Sequence, residues 1–166
     1  MKKFCFVIIA LAAALSAQAQ FSPDWDNAVM QAPQIVDPRP CDSVEDAPVL
    51  DFTKPVTFAW LGCTNPSGAM VQMNYTVYFY RLMGMHPSAA VSQLEPVYEA
   101  DNLMVPQFTY FAPLSQRIGT FIAGEPYAFV VKATVMSMDG TPPPPIENNG
   151  FSGYSVFIVD DPEQIP

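Results

Sequence analysis

FIAGEPYAFVVKATV, residues 121–135, joins a tight corner to an alternating β-strand and decides the fold of the chain. Every second residue from Tyr127 to Val135 lies on one face, as the two-residue side-chain period of a strand requires. Gly124 and Pro126 break the chain before it, so Tyr127 follows a turn. We expect the Tyr127 ring to lie in the core and its hydroxyl to bond to upstream backbone, the arrangement called a tyrosine corner.

The composition favours one all-β domain. The 166 residues are 50% hydrophobic, which is enough for one packed core and argues against intrinsic disorder. Charged residues make up only 14% of the chain, whereas it has 18 prolines and 13% aromatic residues. Such a balance suits short strands and stiff turns better than long helices.

The first 19 residues have the three parts of a secretory signal peptide. Lys2 and Lys3 form a basic start, residues 4–15 an apolar run, and residues 17–19 (Ala-Gln-Ala) a cleavage site. The apolar run is short for a membrane span, so an uncleaved anchor is the weaker alternative. Cleavage would leave Gln20 first, with no transmembrane segment. We expect export to the periplasm, the outer-membrane surface or the medium.

Four segments are therefore predicted along the chain. They are a signal peptide (1–19), a flexible lead with an edge strand (20–40), a β-sandwich (41–160) and a polar tail (161–166).

The exported chain is strongly acidic. Removing Lys2 and Lys3 from the 7 basic residues leaves 5 against 16 acidic ones, a formal charge of −11. This charge excludes nucleic acid as an expected partner. Seven acids precede the first clear strand, but their spacing matches no calcium loop, so a solvated acidic surface is the better interpretation. These acids are Asp24, Asp26, Asp37, Asp42, Glu45, Asp46 and Asp51.

Two cysteines remain after cleavage, Cys41 and Cys63. An even pair in an oxidising compartment is most simply a disulfide, so we expect a bridge between them. The bridge would close a loop of about 22 residues and stabilise the fold by roughly 3 kcal/mol. The alternative is two free thiols, one buried and one exposed.

Alternating runs predict about seven strands and hence a seven-stranded, two-sheet sandwich with long loops. The strands are Gln34–Pro40 at an edge, Val56–Leu61, Gln72–Met83, Gln93–Glu99, Phe108–Phe111, Tyr127–Val135 and Phe151–Val159. Loops are expected at Gly62–Gly68, Gly84–Ser92 and Ser137–Gly150. The expected structural core positions are Trp60, Tyr75, Phe121, Gly124 and Tyr127.

The corner at residues 121–127 resembles the apolar-x-x-Gly-x-x-Tyr corner of fibronectin type III domains, which are immunoglobulin-like sandwiches. Trp60 falls where that family places its second-strand tryptophan, and Tyr75 with Val77 matches its third strand. The resemblance covers roughly residues 47–160 and implies the same sandwich fold.

Further motifs make the chain most similar to the TANFOR type of sandwich domain in exported bacterial proteins. They are Asn65-Pro66, the GEPYAFVVKA run and Asn149-Gly150-Phe-Ser152 before an aromatic last strand. The resemblance implies an envelope or cell-surface location and no catalysis. The late loop has no Arg-Gly-Asp, so cell adhesion does not carry over.

Residues that carry chemistry are too sparse to predict an enzyme. His86 is the single histidine and sits between Met85 and Pro87 in a predicted loop, where a surface role is expected. The sequence has no Gly-x-Ser-x-Gly or His-Glu-x-x-His motif, and two cysteines with one histidine are too few for structural zinc. We expect no catalytic, cofactor-binding or metal-binding residues.

Tyr78, Tyr80 and Leu82 share one face of their predicted strand, and the opposite face is also apolar. A two-sheet sandwich covers only the inner face. We therefore expect these residues to form a surface that binds protein or sugar, unless the lead or a neighbouring loop covers them. Four stiff prolines are expected at the rim of the same sheet. They are Pro142, Pro143, Pro144 and Pro145.

These observations predict an exported, non-catalytic binding module whose partner is another envelope protein or a glycan. One alternative is a structural spacer in an envelope assembly, and another is a carbohydrate-active accessory protein. An exposed apolar patch would favour binding, whereas a cleft with converging carboxylates would favour an enzyme.

Overall fold

The computed structural model describes residues 29–65, 71–111, 120–136 and 143–160. The predicted signal peptide, the first part of the predicted lead (20–28), Pro142 and the tail 161–166 lie outside these residues. The described strands are β1 (Gln34–Asp37), β2 (Val49–Leu50), β3 (Val56–Leu61), β4 (Met73–Arg81), β5 (Tyr98–Leu103), β6 (Gln107–Tyr110), β7 (Pro126–Val135) and β8 (Ser155–Val159). Between them lie one α-helix, α1 (Pro87–Gln93), and a 3-10 segment (Glu147–Gly150).

The fold is all-β, with two sheets, as the sequence predicts. One sheet has the order β1-β3-β6 and the other the order β2-β8-β7-β4-β5. Strand β2 pairs in parallel with β8, and the other described pairings are antiparallel. The two-residue strand β2 is too short to leave an alternating pattern, so the sequence analysis misses it.

Strands β4 and β7 form the centre of the larger sheet. Their register runs without interruption from Met73 opposite Val135 to Arg81 opposite Tyr127. Because side chains alternate along β7, Tyr127, Phe129 and every second residue after them lie on the inner face. There they are buried or half-buried. The same period places Ala128, Val130 and Lys132 on the outer face.

Aromatic rings fill the space between the two sheets. Phe58 of β3 is fully buried and lies 4.9 Å from Phe79 of β4 and 5.0 Å from Phe129 of β7, measured between ring centroids. Both contacts are edge-to-face, a favoured arrangement for aromatic pairs. Trp60 and Tyr75 are also buried and make a third such contact at 5.4 Å.

The corner before β7 has the hydrogen bonds of a tyrosine corner. The Tyr127 ring is fully buried, and its hydroxyl accepts the Ile122 N–H at 2.8 Å and donates to the Thr120 carbonyl at 3.5 Å. Gly124 adopts φ 76°, which an L side chain rarely allows. The glycine and the tyrosine thus fix the direction in which the chain enters β7.

A helix covers part of the outer face of the larger sheet, and this corrects two predictions. The predicted loop Gly84–Ser92 and the predicted strand Gln93–Glu99 are wrong, because α1 occupies Pro87–Gln93 and β5 begins only at Tyr98. His86 is the N-cap, and its Nδ1 accepts the Ser88 N–H at 3.4 Å. Pro87 stands at the first helical turn, where its missing N–H costs nothing.

Candidate functional site

The predicted binding face is not the open surface that the sequence suggests. Leu82 is fully buried and Tyr80 is 8% exposed. Leu82 packs with Ala90 of α1 and with Ala128 and Val156 of the larger sheet. The predicted exposure of Leu82 and Tyr80 is therefore wrong. For Leu82 the cover is the helix that follows soon after β4 in the chain, rather than the lead.

Tyr78 lies outside the helix-covered area and is half-buried. Its ring centroid is 6.5 Å from that of Phe151, and Lys132 Nζ lies 5.1 Å from the Phe151 centroid. Burial, and then the nearby Glu99 carboxylate, raise the pKa of the Tyr78 hydroxyl, which stays protonated at neutral pH. This part of the outer face thus carries two aromatic rings and one amine.

An unusual backbone turn positions Phe151. Asn148, Asn149 and Gly150 have φ values of 52°, 54° and 84°, which are three consecutive left-handed residues. Asparagine and glycine tolerate this region better than other residues. Gly150 is also pressed against β7, since a Cβ added there would lie 2.2 Å from the Ala133 carbonyl oxygen.

Ser152 attaches this segment to β7 through two hydrogen bonds with the backbone of Val131. Its N–H donates to the Val131 carbonyl at 2.8 Å, and its Oγ accepts the Val131 N–H at 2.9 Å. Phe151 lies between Gly150 and Ser152, so contacts of both neighbours with β7 fix the position of its backbone.

The same turn forms one wall of a groove of about 370 Å³. The opposite wall is the last part of β7. The groove is lined by Lys132, Ala133, Thr134, Val135, Pro143, Pro144, Pro145, Ile146 and Asn149. We call it the proline groove, because prolines contribute most of the loop side. Prolines hold their backbone in place before binding, so ordering this wall costs little entropy.

The backbone of Met30 pairs with the loop segment that lines the proline groove. Met30 is 1% exposed, its N–H donates to the Pro145 carbonyl at 2.9 Å, and its carbonyl accepts the Glu147 N–H at 2.9 Å. Met30 and Ile146 thereby form a parallel bridge. Gln31 is held in turn by the Thr64 carbonyl at 3.3 Å.

Lys132 gives the proline groove its positive charge. Arg81 and Lys54 pair with Glu125 at 3.1 Å and Asp51 at 2.7 Å. Lys132 makes no such ion pair with a described carboxylate, and its amine lies over the Phe151 ring instead. In a chain with a large excess of acids, this amine is a distinct local attraction for a negative group.

The predicted disulfide is wrong, because Cys41 and Cys63 are both free thiols. Cys41 runs beside β8, where its N–H donates to Ser155 Oγ at 3.1 Å and its Sγ donates to the Ser43 carbonyl at 3.1 Å. Cys63 follows β3 and packs against the main core. Each thiol has its own local environment, and the sequence gives no indication of where the two segments lie.

Residues with catalytic or metal-binding chemistry are dispersed in the described part of the chain. Within those residues, no three His, Cys, Asp or Glu side chains lie together as a metal site would require. His86 serves as a helix cap. Among the described helices, none is long and apolar enough to cross a membrane.

Comparisons with protein-family models, with curated proteins and with solved structures find no match to this chain. The geometry of the proline groove therefore carries the functional argument.

Of the groove residues, the sequence pattern predicts Pro143, Pro144 and Pro145 as part of a surface, but it does not indicate Lys132, Ile146 or Asn149. Lys132 has an outward position in an alternating strand, where lysine is unremarkable. The useful signal was Asn148-Asn149-Gly150, because consecutive residues that tolerate positive φ indicate a special turn. Its position opposite β7 depends on tertiary contacts.

Proposed function

We propose that the protein is an exported, non-catalytic binding module of the bacterial envelope or cell surface, and that the proline groove is its binding site. The observation that carries this proposal is an open groove of about 370 Å³ between the end of β7 and a proline-rich segment. One wall is a β-strand and the other is proline-rich, while Lys132 and the neighbouring Phe151 supply charge and an aromatic ring.

We further propose that the sandwich is of the fibronectin type III kind, most like the TANFOR type. Two observations support this proposal. A three-stranded sheet with the order β1-β3-β6 faces a sheet that contains β8-β7-β4-β5, and the hydroxyl of Tyr127 bonds backbone just upstream. In such sandwiches the loops between strands are common binding sites, and the proline groove is built on the β7–β8 connection.

Export belongs to the same proposal and is supported by the signal-peptide pattern of residues 1–19. We expect the protein from the envelope fraction to begin at Gln20 by intact mass. Exported material that still begins at Met1 would contradict cleavage at this site.

The partner we propose is another envelope protein or a glycan. Both can use an aromatic ring and a rigid apolar wall, with polar groups at the rim. The acidic chain makes nucleic acid a poor partner.

Blocking the proline groove tests the proposed function. Thr134 is exposed in the groove, and Thr57 is exposed on β3 in the other sheet, so Thr134→Trp and Thr57→Trp form a matched pair. Each variant is compared with the unaltered protein for chemical cross-linking to envelope proteins and for binding to immobilised glycans. We expect Thr134→Trp alone to lose a cross-link or a glycan signal. Equal behaviour of the two variants would contradict the groove as the site.

A structural spacer is the second candidate, and a specific observation favours it. The burial of Leu82 and Tyr80 removes most of the apolar outer face that the sequence offered as a binding surface. If the protein is a spacer, no partner binding should depend on Thr134. Deletion of the whole protein should nevertheless disturb the assembly that contains it.

A further inference from the structure

We propose that the proline groove is occupied by the chain's own segment Asp24-Trp25-Asp26, with the Trp25 ring against the proline wall and the two carboxylates beside Lys132. Residues 24–26 lie outside the described residues. The segment would occupy the same groove as the proposed external partner. Only the resulting competition between the segment and that partner rests on the proposed function.

The direction of the chain at Met30 is the first argument. Met30 and Ile146 pair in parallel, so the residues before Met30 and those before Ile146 run the same way. The residues before Ile146 are Pro143, Pro144 and Pro145, which line the groove. Val29, the first described residue, therefore lies on the same side of the bridge as Pro145.

The available length is the second argument. Trp25 precedes Met30 by five residues, which span up to about 17 Å when extended. The groove prolines lie within three residues of the Met30–Ile146 bridge, so Trp25 reaches them easily. The C-terminal tail that follows β8 is a less suitable occupant, because it starts far from the groove. Ile158 pairs with Pro126, and Ala133 is about 23 Å farther along β7.

Chemistry is the third argument. Lys132 carries the positive charge of the groove and lacks an ion pair with a described carboxylate. Asp24 and Asp26 flank Trp25 and offer two carboxylates within one residue of an aromatic ring. Tryptophan is a frequent anchor in apolar pockets, and proline rings pack well against its flat face. No other segment before Met30 combines a large aromatic residue with two acids.

Tryptophan fluorescence tests this proposal directly. The chain has two tryptophans, so Trp60→Phe leaves Trp25 as the single emitter. The Trp60 indole N–H has no hydrogen-bond partner among the described residues, so this replacement removes no described hydrogen bond. In the exported chain with Trp60→Phe, we expect Trp25 to emit at shorter wavelength than a free peptide of residues 20–30 and to resist acrylamide quenching.

Groove variants in the Trp60→Phe background provide the controls. Thr134→Glu should expose Trp25 to quenching, because its carboxylate would repel Asp24 and Asp26 in the groove, whereas Thr57→Glu should not. Lys132→Glu should weaken occupancy about fivefold, because it replaces an attraction by a repulsion. If Trp60→Phe does not fold, fluorotryptophan NMR of the unaltered chain, assigned with Trp25→Phe, gives the same information.

Several outcomes would overturn the proposal. If Trp25 is quenched like the free peptide, or if its quenching is unchanged by Thr134→Glu, the segment is not in the groove. Protection that rises with protein concentration would show that a second copy supplies the segment. If Trp25 is free while Thr134→Trp still abolishes partner binding, this inference fails and the proposed function survives. If Trp25 is protected, Trp25→Ala should increase partner binding.

Discussion

The Tyr127 hydroxyl makes two hydrogen bonds at a fully buried site, to the Ile122 N–H and the Thr120 carbonyl. We therefore expect Tyr127→Phe to lower the free energy of unfolding by about 1 to 2 kcal/mol, because the backbone groups lose their partner.

Trp60→Ala should lower the free energy of unfolding further, by about 3 to 5 kcal/mol, because it opens a large cavity. Urea denaturation measures both. Tyr154→Phe, at a half-buried site outside the corner, is the control, and a neutral Trp60→Ala would contradict the assignment of the core.

Gly150 combines a positive φ with close backbone packing. A Cβ at this position would lie 2.2 Å from the Ala133 carbonyl oxygen, and φ is 84°. We expect Gly150→Ala to destabilise the fold by roughly 2 to 4 kcal/mol and to displace Phe151. Gly153 is a matched control, because a Cβ there would meet nothing within 4 Å. Thermal denaturation of both alanine variants checks this prediction, and equal melting temperatures would contradict the clamped turn.

At the scale of the element, α1 is a cover for β4. Leu82, the residue after β4, is fully buried against α1, whereas Tyr78 within β4 is only half-buried. We expect Leu82→Ala to destabilise by about 2 to 5 kcal/mol. Tyr78→Ser should change the free energy of unfolding by less than about 1 kcal/mol. Denaturant midpoints distinguish the two. A neutral Leu82→Ala would show that α1 does not cover the strand in solution.

The loop between β7 and β8 has two functions at this scale. Its proline part forms the wall of the proline groove, and its left-handed turn places Phe151 on the outer face. Because Asn149 of the turn also lines the groove, a change in the turn should affect the groove as well. This gives Gly150→Ala a second expected effect, namely the loss of any binding that depends on Thr134.

At the scale of the whole molecule, the thiols report on how the N-terminal part is attached. Hydrogen bonds join Cys41 to β8, without a covalent bridge to Cys63. Labelling of the unfolded, unreduced exported chain should therefore find two thiols, and reductant should leave the melting temperature unchanged. A chain with no reactive thiol would restore the disulfide.

Both the reactivity of the Cys63 thiol and its contribution to stability depend on pH. Burial raises the pKa of the Cys63 thiol from 9.0 to about 11. The protonated thiol is the form that the folded state favours, so its contribution to stability is complete below pH 9 and is lost between pH 9 and 11. At pH 8 we expect Cys63 to react with thiol reagents more slowly in the folded protein than in urea. Equal rates would contradict its burial.

Local sequence determined the strands and the corner. The alternation of β7 and the pair Gly124 and Tyr127 act within a few residues of each other, so their pattern is sufficient to predict them. The all-β character follows in the same way from the distribution of aromatic residues and prolines. These properties depend on the side-chain period and on backbone preferences, which are local.

Tertiary structure alone decided which surfaces remain open. Strand β4 is apolar on both faces, and nothing within it shows that α1 covers Leu82 while Tyr78 stays at the edge. Beside the proline groove, Met30 likewise pairs with Ile146, which lies more than a hundred positions further along the chain. Burial and groove shape are sums of long-range contacts. A sequence pattern can specify which side chains share a face, but the packing of distant segments determines what that face meets.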